Sequence, residues 1–518
     1  MHRKIIPAIM LVICSSVLSQ LKINEIMPKN VSAVWDDAYN YSMWVELYNT
    51  SPTAGYSQAL YYLTDNLSEP QKWKPVYKIV PAKGYTVLWF EHDNIFGHAN
   101  FKLEPDGGKL YLVNEQKTAV DSVIYPAQYR NVSYGRVTDG ADRWVFFEQS
   151  SPGTTNNNKK NTPIQCEKPT LTLNPGFYSS AQQVGFNTII STDTIYYSTD
   201  GSEPQRTHFR YIPGSKISLT KTTVVRARIF SGTKLPGDIT TGTYFINERN
   251  FSLPVVSIST TPANLSDNTI GIYVQGTNGI TGNGMDTPAN WNQDWDRPVN
   301  FELFDRNKTQ QLSQEVDVNI AGGWTRMNGQ KSLKINPKKK FGNNLLNYDF
   351  FAATKPRMKY KSILLRNSGN DFYYSMLRDG YMNELVRNRM DIDYIAYEPA
   401  ICFMNGVYYG IQNIRERSDV DYIYSNYKLD EDKIKLLESW EQNSDTSYTR
   451  VSNYITGNDI TNGSVYANVG TMIDLESFIN YHLTQIYYGN TDWPHNNNKI
   501  WKKRDNGKWR WILYDTDF

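Results

Sequence analysis

The chain has very little cysteine and histidine: three Cys and six His in 518 residues. Cys14 falls in an apolar leader, so only Cys166 and Cys402 remain, far apart, and a disulfide framework is excluded. No C-x-x-C or H-E-x-x-H spacing occurs, which argues against structural or catalytic zinc. After the leader no apolar run approaches about 18 residues, so no membrane-spanning helix is expected. Net charge is missing too. The 54 Lys and Arg nearly cancel 52 Asp and Glu, so no strong field points to nucleic acid or an anionic membrane. Short basic runs such as Lys338-Lys339-Lys340 read as solvated faces.

Aromatic side chains are abundant, with 37 Tyr and 13 Trp, which suits strand-rich domains and extracellular surfaces. The length predicts roughly two to four domains. At the N-terminus, basic residues at positions 2–4 precede an apolar run from Ile5 to Leu18. Residues 1–19 therefore read as a secretory signal peptide, and the protein is expected to be secreted or at the cell surface. Ile13 is too bulky for lipoprotein processing at Cys14, which argues against a lipid anchor.

Residues 20–155 carry short strand-like runs such as "MWVELYN" and "GYTVLWF", separated by turn residues, which predicts a β-sandwich. "INEIMPKN", "WVELYNTS", "VSYGRVTDG" and "SPGTTN" resemble the lamin-tail domain, which implies an immunoglobulin-like module and no reaction. Asn24, Glu25 and Glu46 in this region read as strand-edge polar groups. After a polar linker, residues 165–247 form a second β region. Its "IYYSTDGSEPQ" and "TVVRARIF" resemble the C-terminal module of chitobiase-type proteins, expected here as an accessory spacer. From residue 250 strands and helices mix. "RPVNFELFD" and "EVDVNIAGG" read as strands, while Asp371–Met390 and "MIDLESFINYHLTQIYYGN" read as helices. The expected fold class is two all-β immunoglobulin-like sandwiches followed by an α+β domain.

Chemistry concentrates at the C-terminal end. "KIWKK" and "KWRWILY" flank Arg504-Asp505-Asn506-Gly507, a hairpin signal. Antiparallel pairing around that turn joins residues whose numbers sum to about 1012, within a residue or two. The open end then gathers Asp492, Asn496–Asn498, Asp515 and Asp517. Carboxylates with an amide oxygen, lacking Cys or paired His, suit Mg²⁺ or Mn²⁺. Asp492 and Asn497 have the five-residue spacing of a protein-kinase catalytic Asp and its metal-binding Asn. Upstream, Gly322, Gly323 and Gly329 would let backbone amides approach phosphate, with Arg326 in reach. Without G-K-[S/T] this is not a Walker loop. Lys331 shares a strand face with Leu333 and Ile335, and Lys334 has the other. Either lysine could pair with phosphates, and the apolar neighbours favour Lys331.

Together "KSLKINPKKKFG", "LLRNSGNDFYYSMLRDGYMNELV", "FMNGVYYGIQNIRERSDVDYI" and the closing "GNTDWPHNNNKIWKKRDNGKWRWILYDTDF" resemble the CotH kinase family over residues 250–518. The resemblance implies an atypical kinase-like fold and ATP- and Mg²⁺- or Mn²⁺-dependent phosphorylation of Ser or Thr in exported proteins. It makes Asp492 the catalytic Asp, Asp515 a metal ligand and Asn497 the second ligand, with Asp517 beside them. Glu416 is placed at the nucleotide pocket, or else in an ion pair with Arg415 or Arg417. Asp371, Asp379 and Glu384 are candidate partners for the phosphate lysine. The family continues past the position of Phe518, so the domain is expected to be C-terminally incomplete here. The alternative is a non-catalytic surface protein with a pseudokinase region, binding glycan or matrix through its β modules. A carbohydrate-processing enzyme has no singled-out carboxylate pair to support it.

Overall fold

The structure, a computed structural model, describes residues 20–91, 95–156, 162–187, 190 and 192–517. The expected signal peptide and Phe518 lie outside the described residues. The chain divides into two compact units, Met1–Pro163 and Ile164–Phe518. It is strongly β-rich, and no helix among the described residues is long and apolar enough to cross a membrane.

In the first unit a five-stranded sheet runs Trp144–Phe147, Ser133–Arg136, Leu21–Met27, Met43–Asn49, Tyr85–Phe90. A three-stranded sheet joins Tyr61–Thr64, Gly108–Asn114 and Ala119–Tyr125. Ile23, Val45 and Leu47 from the first sheet and Leu63, Leu110 and Leu112 from the second share one core. Period-2 alternation explains this where one face meets the core: in Tyr85–Phe90, Thr86, Leu88 and Phe90 are buried. Met43–Asn49 is buried on both faces. Its outer face is covered by the segment after Ser151, whose Gly153 N–H donates to Glu46. Glu25 and Glu46 are therefore fully buried, not strand-edge groups, because both strands are interior to their sheet.

The second unit begins with a five-stranded sheet over residues 176–246 and a two-stranded one sharing a core that includes Val184, Ile195, Leu219 and Ile229. A closed barrel follows, in the order Val255–Ser259, Arg297–Phe304, Gln310–Ala321, Ser332–Asn336, Ile363–Arg366, Val407–Arg415, Tyr397–Met404. The β module is fastened to this barrel. Phe245 packs edge-on against Phe304 at 5.2 Å and Phe403 at 4.9 Å. Fully buried Glu302 of the barrel accepts from Thr243 N at 3.2 Å and Thr243 Oγ1 at 2.5 Å, and from Gln310 Nε2 at 2.7 Å. Burial pushes the Glu302 carboxyl up to about 7 despite those bonds.

The last assembly is a four-stranded sheet, Asp393–Tyr394, Arg510–Leu513, Lys499–Lys503, Ile434–Leu437. Helices Thr446–Thr456, Gly463–Met472 and Leu475–Tyr488 share its core with Trp509, Trp511 and Leu513. The expected helix over Asp371–Met390 is much shorter: a 3-10 turn, Gly369–Tyr373, then Arg378–Val386. Met376 at φ +59° interrupts it, and Asp371 accepts from the backbone N–H groups of Ser375, Leu377 and Arg378. Its buried residues are Asp379, Gly380, Asn383 and Val386, so the packed face is mostly polar. The second expected helix forms, with Asp474 accepting from Ser477 N and Gly489 ending it at φ +63°. Lys338-Lys339-Lys340 is not simply a solvated face. Buried Asp317 needs counter-charge, and Lys340 supplies it at 2.8 Å while Lys338 lies 2.6 Å from Asp296. Both Cys166 and Cys402 are buried.

Candidate functional site

The closing hairpin forms with Asn506 at φ +57°, as its turn sequence demands. Its pairs, Lys499 with Ile512 through Trp501 with Arg510, sum to 1011, so the register is one residue from the expected one. Carried past the last pair, it aims Asn497 at Tyr514. Burial, then Glu438, the adjacent Asp515, Tyr481 and Asp492 push the Tyr514 hydroxyl pKa up.

Helix Leu475–Tyr488 stops at Gly489, and the Asp492 N–H donates to Asn490 Oδ1 at 3.1 Å. Asp492 Oδ2 accepts from Asn496 Nδ2 at 2.9 Å and Asn497 Nδ2 at 2.7 Å. This fixes the carboxylate and leaves Asn497 Oδ1 for another partner. The Trp493–Pro494 peptide between them is cis. Asn497 and Asp515 both adopt left-handed backbone, φ +50° and +54°. Asn and Asp tolerate it best, at a cost of about 1 kcal/mol or more each, and such strain clusters at functional sites.

Arg366, at the end of the barrel strand Ile363–Arg366, organises the acidic turn. Its Nη2 donates to Asp515 Oδ1 at 2.6 Å and Asp517 Oδ2 at 2.7 Å, and its Nε lies 3.8 Å from Asp379 Oδ2. Asp379 also holds Arg415 and accepts from Thr516 N and Oγ1, each at 3.0 Å. Burial works to raise the Asp379 carboxyl, but Arg415 and Arg366 outweigh it and hold the group well below the usual carboxylate range. Asp517 moves the other way: burial pushes it up, Asp515 and Asp379 add to this, and Arg366 offsets only part. The Asn370 N–H donates to Asp517 Oδ2 at 3.2 Å. Gly369 sits at φ +61°, where a Cβ would collide with both the Asp517 carboxylate and the Arg366 guanidinium. Glycine is required there for conformation and for space.

The other expected site residues take separate places. Lys331 is buried, donates to Arg326 O at 2.5 Å and Asn328 O at 3.0 Å, and lies 4.0 Å over the Trp291 ring. Burial brings its ammonium down to about 8. Arg326 is turned onto backbone, donating to Gly322 O at 2.6 Å and Trp291 O at 3.0 Å. Both side chains therefore tie down the glycine-bearing loop. Lys334 lies 3.7 Å from Asp419 and 3.6 Å from Asp421. Asp419 also feels Lys499, which donates to Ser418 Oγ at 3.1 Å, pairs with Glu438 at 2.7 Å and lies 4.7 Å over Tyr514. Lys334 thus serves a pair of aspartates and not the Asp492 or Asp515 carboxylate. Glu416 is buried and pairs with Lys355 at 2.8 Å, not with Arg415 or Arg417, and accepts from Ala396 N and Asn426 Nδ2. Arg415 is committed to Asp379 and Arg417 to Asp419. Asp371 caps its own turn, and Glu384 pairs with Arg387.

Among the described residues no group of three or more His, Cys, Asp or Glu side chains is arranged to hold a metal ion. Asn497, Asp515 and Asp517 are therefore not a preformed cage. Their chemistry does fit an ion that arrives with phosphate. Asp515 is partly open at 30% side-chain exposure, and Asp517 Oδ1 is a buried acceptor with no hydrogen bond. Mg²⁺ held this way needs only one or two protein carboxylates, the rest coming from phosphate and water. Sequence reasoning missed Arg366, Gly369 and Lys499. The available signal was "ILLRNSGN", a charged residue closing an apolar strand ahead of a glycine turn.

Two spans match known families. Residues 318–518 match the family model described as CotH kinase protein. Residues 173–241 match the Chitobiase/beta-hexosaminidase C-terminal domain. Two of the three resemblances expected from sequence are thereby met, while the expected lamin-tail resemblance falls in the first unit, outside both spans. No curated protein matches the chain.

Proposed function

We propose that the protein is an exported atypical protein kinase that transfers the γ-phosphoryl group of ATP to Ser or Thr of an exported or surface protein. The observation that carries this reading is the hydrogen bond from Asn497 Nδ2 to Asp492 Oδ2 at the entry of the hairpin that leads to Asp515, inside the span that matches the CotH kinase protein family. In this reading the barrel and the helix-backed sheet are the two lobes of a kinase-like α+β domain, with the nucleotide between them. The β modules, the first resembling the lamin-tail domain, position it on a partner or on surface glycan.

Asp492, held by two amides, orients the acceptor hydroxyl and takes its proton. The hydroxyl oxygen forms its bond to the γ-phosphorus as the bond to the β,γ-bridging oxygen breaks, leaving ADP. Asp515, Asn497 and Asp517 would hold Mg²⁺ or Mn²⁺, which when bound neutralises charge on the phosphates. Lys334 holds Asp419 and Asp421, and Lys331 and Arg326 keep the glycine loop in shape. Glu416 acts on the pocket wall through Lys355.

Incubating the protein with radiolabelled ATP, Mg²⁺ or Mn²⁺ and a Ser/Thr-rich acceptor should label the acceptor. Asp492→Ala and Asp515→Ala should abolish labelling. No transfer by the wild type, or transfer indifferent to both changes, would sink the reading. One observation favours a second reading, a pseudokinase scaffold: Arg366 already engages both acidic residues of the turn. Thermal stabilisation by nucleotide without transfer would select it.

A further inference from the structure

Arg366 places its guanidinium among three carboxylates, those of Asp379, Asp515 and Asp517. Asp379 approaches its Nε, while Asp515 and Asp517 share its Nη2. Asp379 has a second cation in Arg415, and its Oδ1 is taken by Thr516. It does not need Arg366 for neutrality. Asp515 and Asp517 are different. Arg366 is the only cation within ion-pair distance of either among the described residues, and both carboxylates rest on one nitrogen. A bidentate fork meeting two acids through a single Nη is an unspent arrangement, because a planar guanidinium prefers to present two parallel N–H groups to one anion.

The strand around Arg366 fixes its direction. Leu365 is fully buried in the barrel, and Leu364 and Arg366 pair with Arg415 and Asn413 of the neighbouring strand. Gly369 keeps the following turn clear of side-chain atoms where the guanidinium meets Asp517. By contrast, the two lysines that sequence offered as phosphate ligands have settled partners: Lys331 two backbone carbonyls and Trp291, Lys334 two aspartates.

We propose that Arg366 is the phosphate-binding cation of this site, held in reserve on Asp515 and Asp517, the two carboxylates that would serve a divalent ion arriving with a nucleotide. This rests on the kinase reading. With such an ion bound, Asp515 and Asp517 would serve the metal and the freed Arg366 fork would serve the polyphosphate. Asp379 stays with Arg415 and keeps the turn in place through Thr516.

Calorimetric titration of the full chain with ATP and with adenosine tests this, in Mg²⁺ and in EDTA. The wild type should bind ATP at least tenfold more tightly than adenosine when Mg²⁺ is present. Arg366→Gln should erase most of that difference and leave adenosine affinity unchanged. In EDTA, Asp517→Asn should release Arg366 and strengthen ATP binding several-fold, and the double variant Asp517→Asn with Arg366→Gln should lose the gain. Thermal unfolding of each variant establishes that it is folded. If Arg366→Gln does not fold, the Asp517→Asn gain in EDTA and its loss in Arg366→Lys on that background decide the matter. Wild-type ATP binding that survives Arg366→Gln overturns the proposal and leaves the kinase reading intact. Absence of any nucleotide binding by the wild type overturns both.

Discussion

Two regions of this protein each bury acidic side chains, and they deal with the charge in opposite ways. In the first unit Glu25 and Glu46 are fully buried and are met by neutral donors. Glu25 takes Ser133 Oγ, and Ser151 N and Oγ at 3.1 and 2.8 Å. Glu46 takes Asn24 Nδ2 at 2.9 Å and Gly153 N at 2.6 Å. With no cation at hand, burial pushes the Glu46 carboxyl up to about 8 and raises Glu25 as well. In the cleft, Asp379, Asp515 and Asp517 are met by Arg366 and Arg415. A hydrogen-bonded cluster can become neutral by taking up protons and so stays a structural fastening. Where arginine outweighs burial, as at Asp379, the carboxylate keeps its charge.

The largest break in the comparison should be catalytic. Asp492→Asn should lower phosphoryl transfer roughly 10²- to 10⁴-fold, the usual range for a lost general base. Glu46→Gln should leave transfer within about twofold, since buried hydrogen-bonded groups away from the chemistry act through stability. Initial rates with labelled ATP measure both. Stability comes next. Asp379→Ala strands Arg415 beside its lost partner and should cost about 3–5 kcal/mol, whereas Glu46→Gln should cost about 1 kcal/mol. Urea unfolding of the full chain at neutral pH separates them.

The pH response sharpens the contrast further. A carboxyl raised in the fold holds a proton that the unfolded chain releases. The contribution of Glu46 is therefore complete below its ordinary value of 4.5 and is lost as pH climbs through about 8. The effect is on the order of 2 kcal/mol. Hydrogen exchange in Leu21–Met27 and Met43–Asn49, corrected for intrinsic rates, should show weaker protection at pH 8 than at pH 5. The reverse trend would contradict the neutral-cluster account. The smallest effect belongs to Lys334→Gln. Removing a half-buried lysine 3.6–3.7 Å from its aspartates should raise the KM for ATP by no more than about fivefold, on the order of 1 kcal/mol.

What could be read from sequence followed how local each signal was. The strands of the barrel and the closing hairpin were legible because alternation and the Asp505–Gly507 turn act within a few residues. The helix over Asp371–Met390 was misjudged because its packed residues, Asp379 and Asn383, answer to partners elsewhere: Asp379 to Arg415 and Thr516, Asn383 to the Ile395 N–H. The same holds for Glu25 and Glu46, whose burial is set by a covering segment more than 100 residues later. Asp492 and Asn497 were legible as a spacing and stand joined by a hydrogen bond. Arg366 was not, because the acids it binds lie about 150 residues on, and a lone arginine at a strand end carries no periodic signature.

The fastening of the second β module to the barrel has a practical consequence for anyone who wishes to cut this protein apart. Two of the three hydrogen bonds to Glu302 come from Thr243, and the edge-on ring stack around Phe304 and Phe403 is closed by Phe245. A gene fragment beginning at residue 250 would leave a carboxylate half satisfied and an aromatic face wet. Excision should begin upstream of the module, near residue 164, so that the barrel carries its own cover of phenylalanine with it.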